Sequence, residues 1–371
     1  MKRGLSPYRA DGENNGTGLD LLDSTRIHER TKTSTDPIES KGKHVNHKSL
    51  SLIAILAGTL AACGGPSDVQ VPKDTLAFFL TTPITPKAKK PSNADMVALG
   101  KTLYHDKRLS SDGTISCASC HSLKTFGVDN KATSLGVGGK PDTRNSPTTL
   151  NAFQQLAQFW DGRAATVEDQ LLNPKEHGLS SKDDAVAILK KDPTMVEAFA
   201  KAFPGEKEPL NFDNIGNAIG AFERKLTTRS RFDKFLDGNK KALNNQEKQG
   251  LIDFVEAGCT TCHTSRMVGG QMMQKLGLVY AWPSKDLGRF QETKQASDKY
   301  IFKVPGLLNV EKTAPYLHDG SMKTLPEVIE MMAWNQLGKR LDKKKVANIE
   351  AFLKALTGKL PASMRKSLST K

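Results

Sequence analysis

The sequence predicts an all-α protein made of two similarly planned halves, and three observations carry this. Apolar residues recur at helical spacing in most segments after residue 94. Long runs alternating apolar and polar residues are absent. One short motif occurs twice, as Cys117-Ala-Ser-Cys120-His121 and Cys259-Thr-Thr-Cys262-His263, each entered by a segment of helical period.

The elements follow in order. Met96, Val97, Leu99, Leu103 and Tyr104 predict a helix ahead of the first motif. Ala185 to Phe203 has a period near 3.6 and is broken at Pro193. Asn214 to Leu226 places Ile215, Ile219 and Phe222 on one face, and Gln246 to Ala257 runs into the second motif. Thr324-Leu-Pro-Glu327 is a capping box with proline in the first turn, opening a helix through Met331, Met332 and Trp334. The last helix, Lys343 to Thr357, carries Val346, Ile349, Phe352 and Leu353 on its apolar face.

The start of the chain reads differently. Residues 1–40 are polar without a hydrophobic period. Lys41, Lys43 and Lys48 precede the apolar run Leu50 to Ala62, whose 13 residues fall short of the ~20 that span a bilayer. A basic, then apolar, then small-residue stretch is a secretory signal. Its end, Leu60-Ala61-Ala62-Cys63, resembles a bacterial lipobox, which implies a lipid on Cys63. Gly64 in place of Asp leans towards the outer membrane, on the periplasmic side. The other reading is an ordinary signal with an incidental cysteine. The long polar leader leads us to expect a true start near Val45. Residues 1–62 are thus leader and signal. Residues 63–93, with Pro66, Pro72, Pro83, Pro86 and Pro91, are expected to form a flexible tether. Folded structure is expected from Ala94, as one domain over 94–225 and another over 226–371.

Charge narrows the partners. The chain carries 54 Lys and Arg against 40 Asp and Glu. Without residues 1–62 the balance is 45 against 33, a net +12. Such a surface attracts an acidic partner, unless it is simply solvated. The basic residues are dispersed and not interleaved with aromatics, which excludes nucleic-acid binding.

Cys-x-x-Cys-His is the attachment signature of c-type haem: two thiols bond the porphyrin and the histidine reaches the iron. A zinc site would need further ligands, and a thiol–disulfide pair needs neither the histidine nor a second copy. Two covalent haems are expected, with Cys117, Cys120, Cys259 and Cys262 attached and His121 and His263 as proximal ligands, on two cytochrome c-like domains. Methionine opposite histidine suits electron transfer, and an open position suits chemistry on a small ligand.

Several longer stretches resemble the bacterial di-haem cytochrome c peroxidase family. They are Gly100-Lys-Thr-Leu-Tyr-His-Asp-Lys-Arg-Leu-Ser110, Arg144-Asn-Ser-Pro-Thr148, Gln158-Phe-Trp-Asp-Gly-Arg163, Asp286-Leu-Gly-Arg289, Ala314-Pro-Tyr-Leu-His-Asp-Gly-Ser321 and Gln336-Leu-Gly338. The resemblance covers residues 94–357. It implies reduction of hydrogen peroxide at the His121 haem, with electrons entering through the His263 haem from a small cytochrome c or a cupredoxin. By the same resemblance Met332, 14 residues after His318, is the axial ligand of the second iron, with Met331 as its competitor. The resemblance also implies that Trp160 lies between the haems and assists electron passage. Glu176 and Gln170 belong to the distal pocket, where a carboxylate moves protons on peroxide. The resemblance implies a Ca²⁺ held by oxygen atoms of Asn145, Thr313 and Pro315. His318 sits near the second haem without ligating it. A homodimer is also implied.

The sequence departs from the family at the place where a capping histidine stands 16 residues after the proximal one. Here that residue is Val137, which cannot bind iron, so an open first iron is expected without prior reduction. His177, where methionine is usual, is the alternative ligand, and the spacing from Gln170 to Glu176 is shortened. Rival readings are an enzyme that uses peroxide to oxidise residues of a partner protein, usually with tyrosine in place of Met332, and a plain electron carrier.

Overall fold

The computed structural model describes residues 68–171, 179 and 181–360; Cys63, Glu176 and His177 lie outside the described residues. Helices dominate. α1 (Lys73–Leu80) and α2 (Ala94–Tyr104) are followed by a single turn, α3 (Cys117–Cys120). The periodic stretch broken by Pro193 becomes α4 (Lys182–Lys190) and α5 (Pro193–Ala202), with Pro193 at the start of α5, where its missing N–H costs nothing. Then come α6 (Phe212–Glu223), α7 (Arg231–Leu236), α8 (Asn245–Ala257) and the short α9 (Phe290–Thr293). α10 (Leu325–Leu337) opens on the capping box read from Thr324 and Glu327, and α11 (Lys343–Ala355) ends the set. Strands among the described residues are two short antiparallel ribbons, Met273–Lys275 with Ile301–Lys303 and Arg229–Ser230 with Gly358–Lys359.

Two hydrophobic cores form. One gathers Leu103, Phe199, Ile215 and Phe222; the other gathers Phe232, Leu251, Phe254 and Phe352. Each is built on a close helix pair. A Cβ on Gly100 of α2 would lie 1.8 Å from the Ala218 carbonyl oxygen of α6, and one on Gly250 of α8 would lie 1.8 Å from that of Asn348 in α11. Only glycine lets these backbones touch. The repetition extends further. Pro147-Thr-Thr-Leu150-Asn151 and Pro305-Gly-Leu-Leu308-Asn309 share a pattern, and both asparagines are left-handed, with φ of 60° and 65°. Asn151 N–H donates to the Leu226 carbonyl at 2.8 Å and Asn309 N–H to that of Leu356 at 3.1 Å. The two side chains then meet: Asn151 Nδ2 and Asn309 Nδ2 both donate to Thr228 Oγ1, at 2.8 and 2.9 Å, in a buried joint between the cores.

One expectation is corrected. Residues 63–93 are not a tether throughout, because α1 is folded onto the second core. Phe79 is 0% exposed, with ring contacts to Phe232 at 5.3 Å, Phe352 at 6.3 Å and Phe254 at 6.5 Å. Proline and lysine dominate the composition there, yet one buried phenylalanine decides the outcome. After α1 the chain stays attached: Ile84 N–H donates to Gln271 Oε1 at 2.6 Å, and Lys90 pairs with Glu206 at 2.5 Å. Ordered structure therefore starts well before Ala94. Phe79→Ala should cost about 3–5 kcal/mol, read as a lower denaturant midpoint; an unchanged midpoint would detach α1 from the core.

Candidate functional site

Both Cys-x-x-Cys-His segments are tight turns at a core edge. Ser116 and Ser119 cap α3 reciprocally, with Ser116 N–H donating to Ser119 Oγ at 3.0 Å. In the second half, Gly258 ends α8 in the left-handed region (φ 96°) and delivers the chain into the turn Cys259–Thr261. The imidazoles are held alike: His121 Nδ1 is 3.3 Å from the Gly127 carbonyl, and His263 Nδ1 is 3.1 Å from that of Val268. A carbonyl only accepts, so Nδ1 carries the hydrogen and Nε2 keeps its lone pair. Burial pushes His263 down to about 4 and lowers His121, which keeps both neutral at pH 7. A neutral, oriented imidazole is the form that binds metal.

The thiols point away from disulfide chemistry. Burial pushes Cys117 and Cys259 up to about 12 and also raises Cys120 and Cys262. Reactive thiol pairs need the opposite shift. Among the described residues no three His, Cys, Asp or Glu cluster as a metal site, which disfavours zinc.

Beside the second turn lies an apolar cavity with an empty volume of about 1640 Å³, its mouth included. Cys259, Cys262, His263 and Met332 line it, whereas Met331 is buried (6% exposed) and does not reach it. Trp160 comes from the first half of the sequence but lines this same cavity. Its Nε1 donates to the Asn145 carbonyl at 2.8 Å, and its own carbonyl accepts from Lys303 N–H at 2.7 Å. Pro147 lines the cavity too, while its carbonyl acts on the His121 imidazole. Pro147 thus touches both sites, and Trp160 is joined to the same segment through Asn145, two residues before Pro147. Asn145, Thr313 and Pro315 also lie on the cavity lining. His318 is buried, its Nε2 3.1 Å from Ser284 Oγ and its ring stacked on Phe302 at 4.3 Å, so it is anchored by packing.

Two polar features of the lining test whether a prosthetic group fits. Gln155 Oε1 is buried without a partner among the described residues. Lys303 is fully buried; its Nζ donates to the Ala157 carbonyl at 2.9 Å, and burial pushes its amine down to about 7 while Asp161 resists. A carboxylate-bearing group in the cavity would restore its charge. Thiols, neutral imidazole, methionine and this amine together fit a c-type haem.

Gln170 lies away from that cavity. Its Nε2 donates to Glu223 Oε2 at 2.9 Å. Burial pushes the Glu223 carboxyl up to about 8, against the pull of the Gln170 amide. Glu223 and Lys303 escaped the sequence reading. Glu223 had a signal, since it stands one helical turn after Ile219 on the apolar face; Lys303 had none. Glu176 lies outside the described residues. Because the folded state holds the Glu223 proton more tightly, its stabilising contribution is complete below the ordinary carboxylate range and is lost as pH rises towards 8. Glu223→Gln should flatten this decline by on the order of a few kcal/mol between pH 5 and pH 8, measured by denaturant titration.

Twin Cys-x-x-Cys-His turns on duplicated helical cores match the plan of the di-haem peroxidases. The chain belongs to the di-haem cytochrome c peroxidase family: a model described as di-haem cytochrome c peroxidase matches residues 94–241. Cytochrome c551 peroxidase of Nitrosomonas europaea is 40% identical over 321 residues, covering 84% of this chain and 92% of that protein. Cytochrome c peroxidase Ccp of Escherichia coli K12 is 43% identical over 296 residues, 77% of this chain, and the chain spans 63% of that relative's length. A crystal structure of a MauG-like protein associated with microbial copper homeostasis shares the fold at a TM-score of 0.67 and 29% identity, covering 79% of this chain and 96% of that one.

Proposed function

We propose that this protein reduces hydrogen peroxide to water with electrons from a small redox protein, using two covalently attached haems in two cytochrome c-like domains. The observation that supports it best is the pair of half-buried, neutral, Nδ1-anchored histidines, each preceded by two cysteines, with an apolar cavity beside the second.

When bound, haem supplies the iron that accepts electrons and meets peroxide. The chain does the rest. His121 and His263 offer Nε2, and the Gly127 and Val268 carbonyls keep those rings from turning. Cys117, Cys120, Cys259 and Cys262 supply the thioether sulfurs. Met332, on the cavity wall, offers a thioether that favours electron transfer at the second centre. Trp160, hydrogen-bonded to Asn145, lies in the electron's path between the halves. On the distal side Glu176 takes a proton from one peroxide oxygen and returns it to the other. Gln170, held by Glu223, assists there. With Val137 in place of a capping histidine, the first site stays open to peroxide.

The test is a haem count and an electron paramagnetic resonance spectrum of the fully oxidised protein, followed by peroxide turnover with a reduced cytochrome c. Two covalent haems, a high-spin ferric signal and turnover without prior reduction are expected. Fewer haems, or a purely low-spin spectrum, would refute the reading.

Ca²⁺ at the oxygens of Asn145, Thr313 and Pro315 belongs to this proposal, and dialysis against a calcium chelator should lower the thermal midpoint reversibly. So do a lipid on Cys63, a place on the periplasmic side of the outer membrane, and a homodimer. Intact mass of the mature protein and sedimentation test these.

A further inference from the structure

Among the described residues, Leu278, Val279 and Tyr280 are the one run of three successive large hydrophobics left exposed, at 52%, 51% and 44%. Single exposed apolar side chains are ordinary; a contiguous set marks contact with something else. The run is held rigid. Gly277 and Leu278 N–H donate to Gln336 Oε1 at 2.6 and 2.9 Å, and Val279 and Tyr280 N–H donate to the Asn335 carbonyl at 2.9 and 3.1 Å. Asn335 Nδ2 donates back to the Tyr280 carbonyl at 2.9 Å. The Tyr280 ring stacks on Trp334 at 4.2 Å with 13° between planes, and the Arg340 guanidinium lies 4.2 Å from the Trp334 ring centre.

Position and charge say what this platform meets. Gln336, which pins the run, also lines the cavity containing Cys262 and Met332, so the exposed face lies one residue from that centre. The chain has no acidic residue between Lys275 and Lys285, both exposed, and Lys339 and Arg340 follow α10, also exposed. An apolar centre with a cationic rim fits a partner of the same plan and opposite charge. A second copy would bring the same cations face to face.

Building on the peroxidase reading, we propose that this platform is where the electron donor docks, and that the donor presents an apolar face ringed by carboxylates. The test uses the purified di-haem protein with three donors: an acidic small c-type cytochrome, a basic one, and ascorbate with a phenylenediamine mediator. Turnover with the acidic cytochrome should exceed that with the basic one, and its kcat/KM should fall roughly tenfold or more from low to high salt. In Val279→Asp, and in Lys275→Glu combined with Arg340→Glu, the ratio of acidic-cytochrome to mediator turnover at sub-saturating donor should fall about tenfold, through donor KM. Lys201→Glu, on α5, should leave that ratio unchanged, and thermal midpoints check that each variant folds. Preference for the basic cytochrome, an unchanged ratio in both platform variants, or a dimer split by Val279→Asp with the ratio intact would overturn the proposal. If the mediator drives no peroxide reduction in the parent protein, the peroxidase reading fails and this proposal falls with it. Failure of the docking proposal alone leaves mediator turnover intact.

Discussion

Met332→His should lower the reduction potential of the second centre by on the order of 100 mV, while Met331→Leu leaves it where it was. Adjacent helical residues point about 100° apart, so one of these methionines can face the His263 site and the other cannot. α10 turns Met332 to the cavity shared with Cys262 and His263 and buries Met331 elsewhere. With Met332 as the proposed ligand, exchanging its thioether for imidazole would keep a ligand at that position but remove the kind that favours the reduced form. Electrons from a donor of moderate potential would then enter less readily, so turnover with a protein donor should fall too. Optical potentiometric titration reads the shift directly. A shift with Met331→Leu and none with Met332→His would reverse the assignment.

Arg144→Met should destabilise the fold by about 3–5 kcal/mol, because it strands one buried and one half-buried carboxylate. Arg144 is itself largely buried. It pairs with Asp161, whose side chain is 2% exposed, and grips both oxygens of Asp286 at 2.6 and 2.9 Å. Burial works against the charges of Arg144 and Asp286; Asp286 and Asp161 outweigh it and hold the guanidinium charged, and Arg144 in turn lowers Asp286. Arg163 remains beside Asp161 at 2.8 Å in the variant, so the loss is partial. The lowered Asp286 contributes stability that is present above the ordinary carboxylate range and lost as pH falls through its depressed value. The parent should therefore lose stability in acid more steeply than the variant. Denaturant unfolding at two pH values checks both claims, and a cost under about 1 kcal/mol would mean the pairs behave as surface ones.

Helix ends were legible because their signals are local. Pro193 divides α4 from α5, and Thr324 with Glu327 opens α10, each through residues within one turn of the boundary. α1 was illegible for the opposite reason. Its stability comes from Phe79 meeting Phe232, Phe254 and Phe352, more than 150 residues away, while its neighbours read as linker. The short ribbons carry too few residues for an alternating pattern. At the site, the cysteines and histidines were legible because their chemistry is fixed within five residues. The spacing from His318 alone left Met331 and Met332 competing, and the three-dimensional turn of α10 separates them. Lys303 and the Gln170–Glu223 bond depend on burial and on contacts 53 residues apart, which no spacing encodes.

The joint of Asn151, Thr228 and Asn309 has a consequence for speed. Electron hopping slows steeply with every added ångström, so the two proposed haems would exchange electrons at a steady rate only if the halves that hold them keep their separation. Here the two halves are tied by amide-to-hydroxyl bonds out of reach of solvent, at the point where both present the same left-handed asparagine. Flexing about this seam would break those bonds with no water at hand to replace them. The spacing of the halves is thereby held by buried bonds rather than left to a hinge.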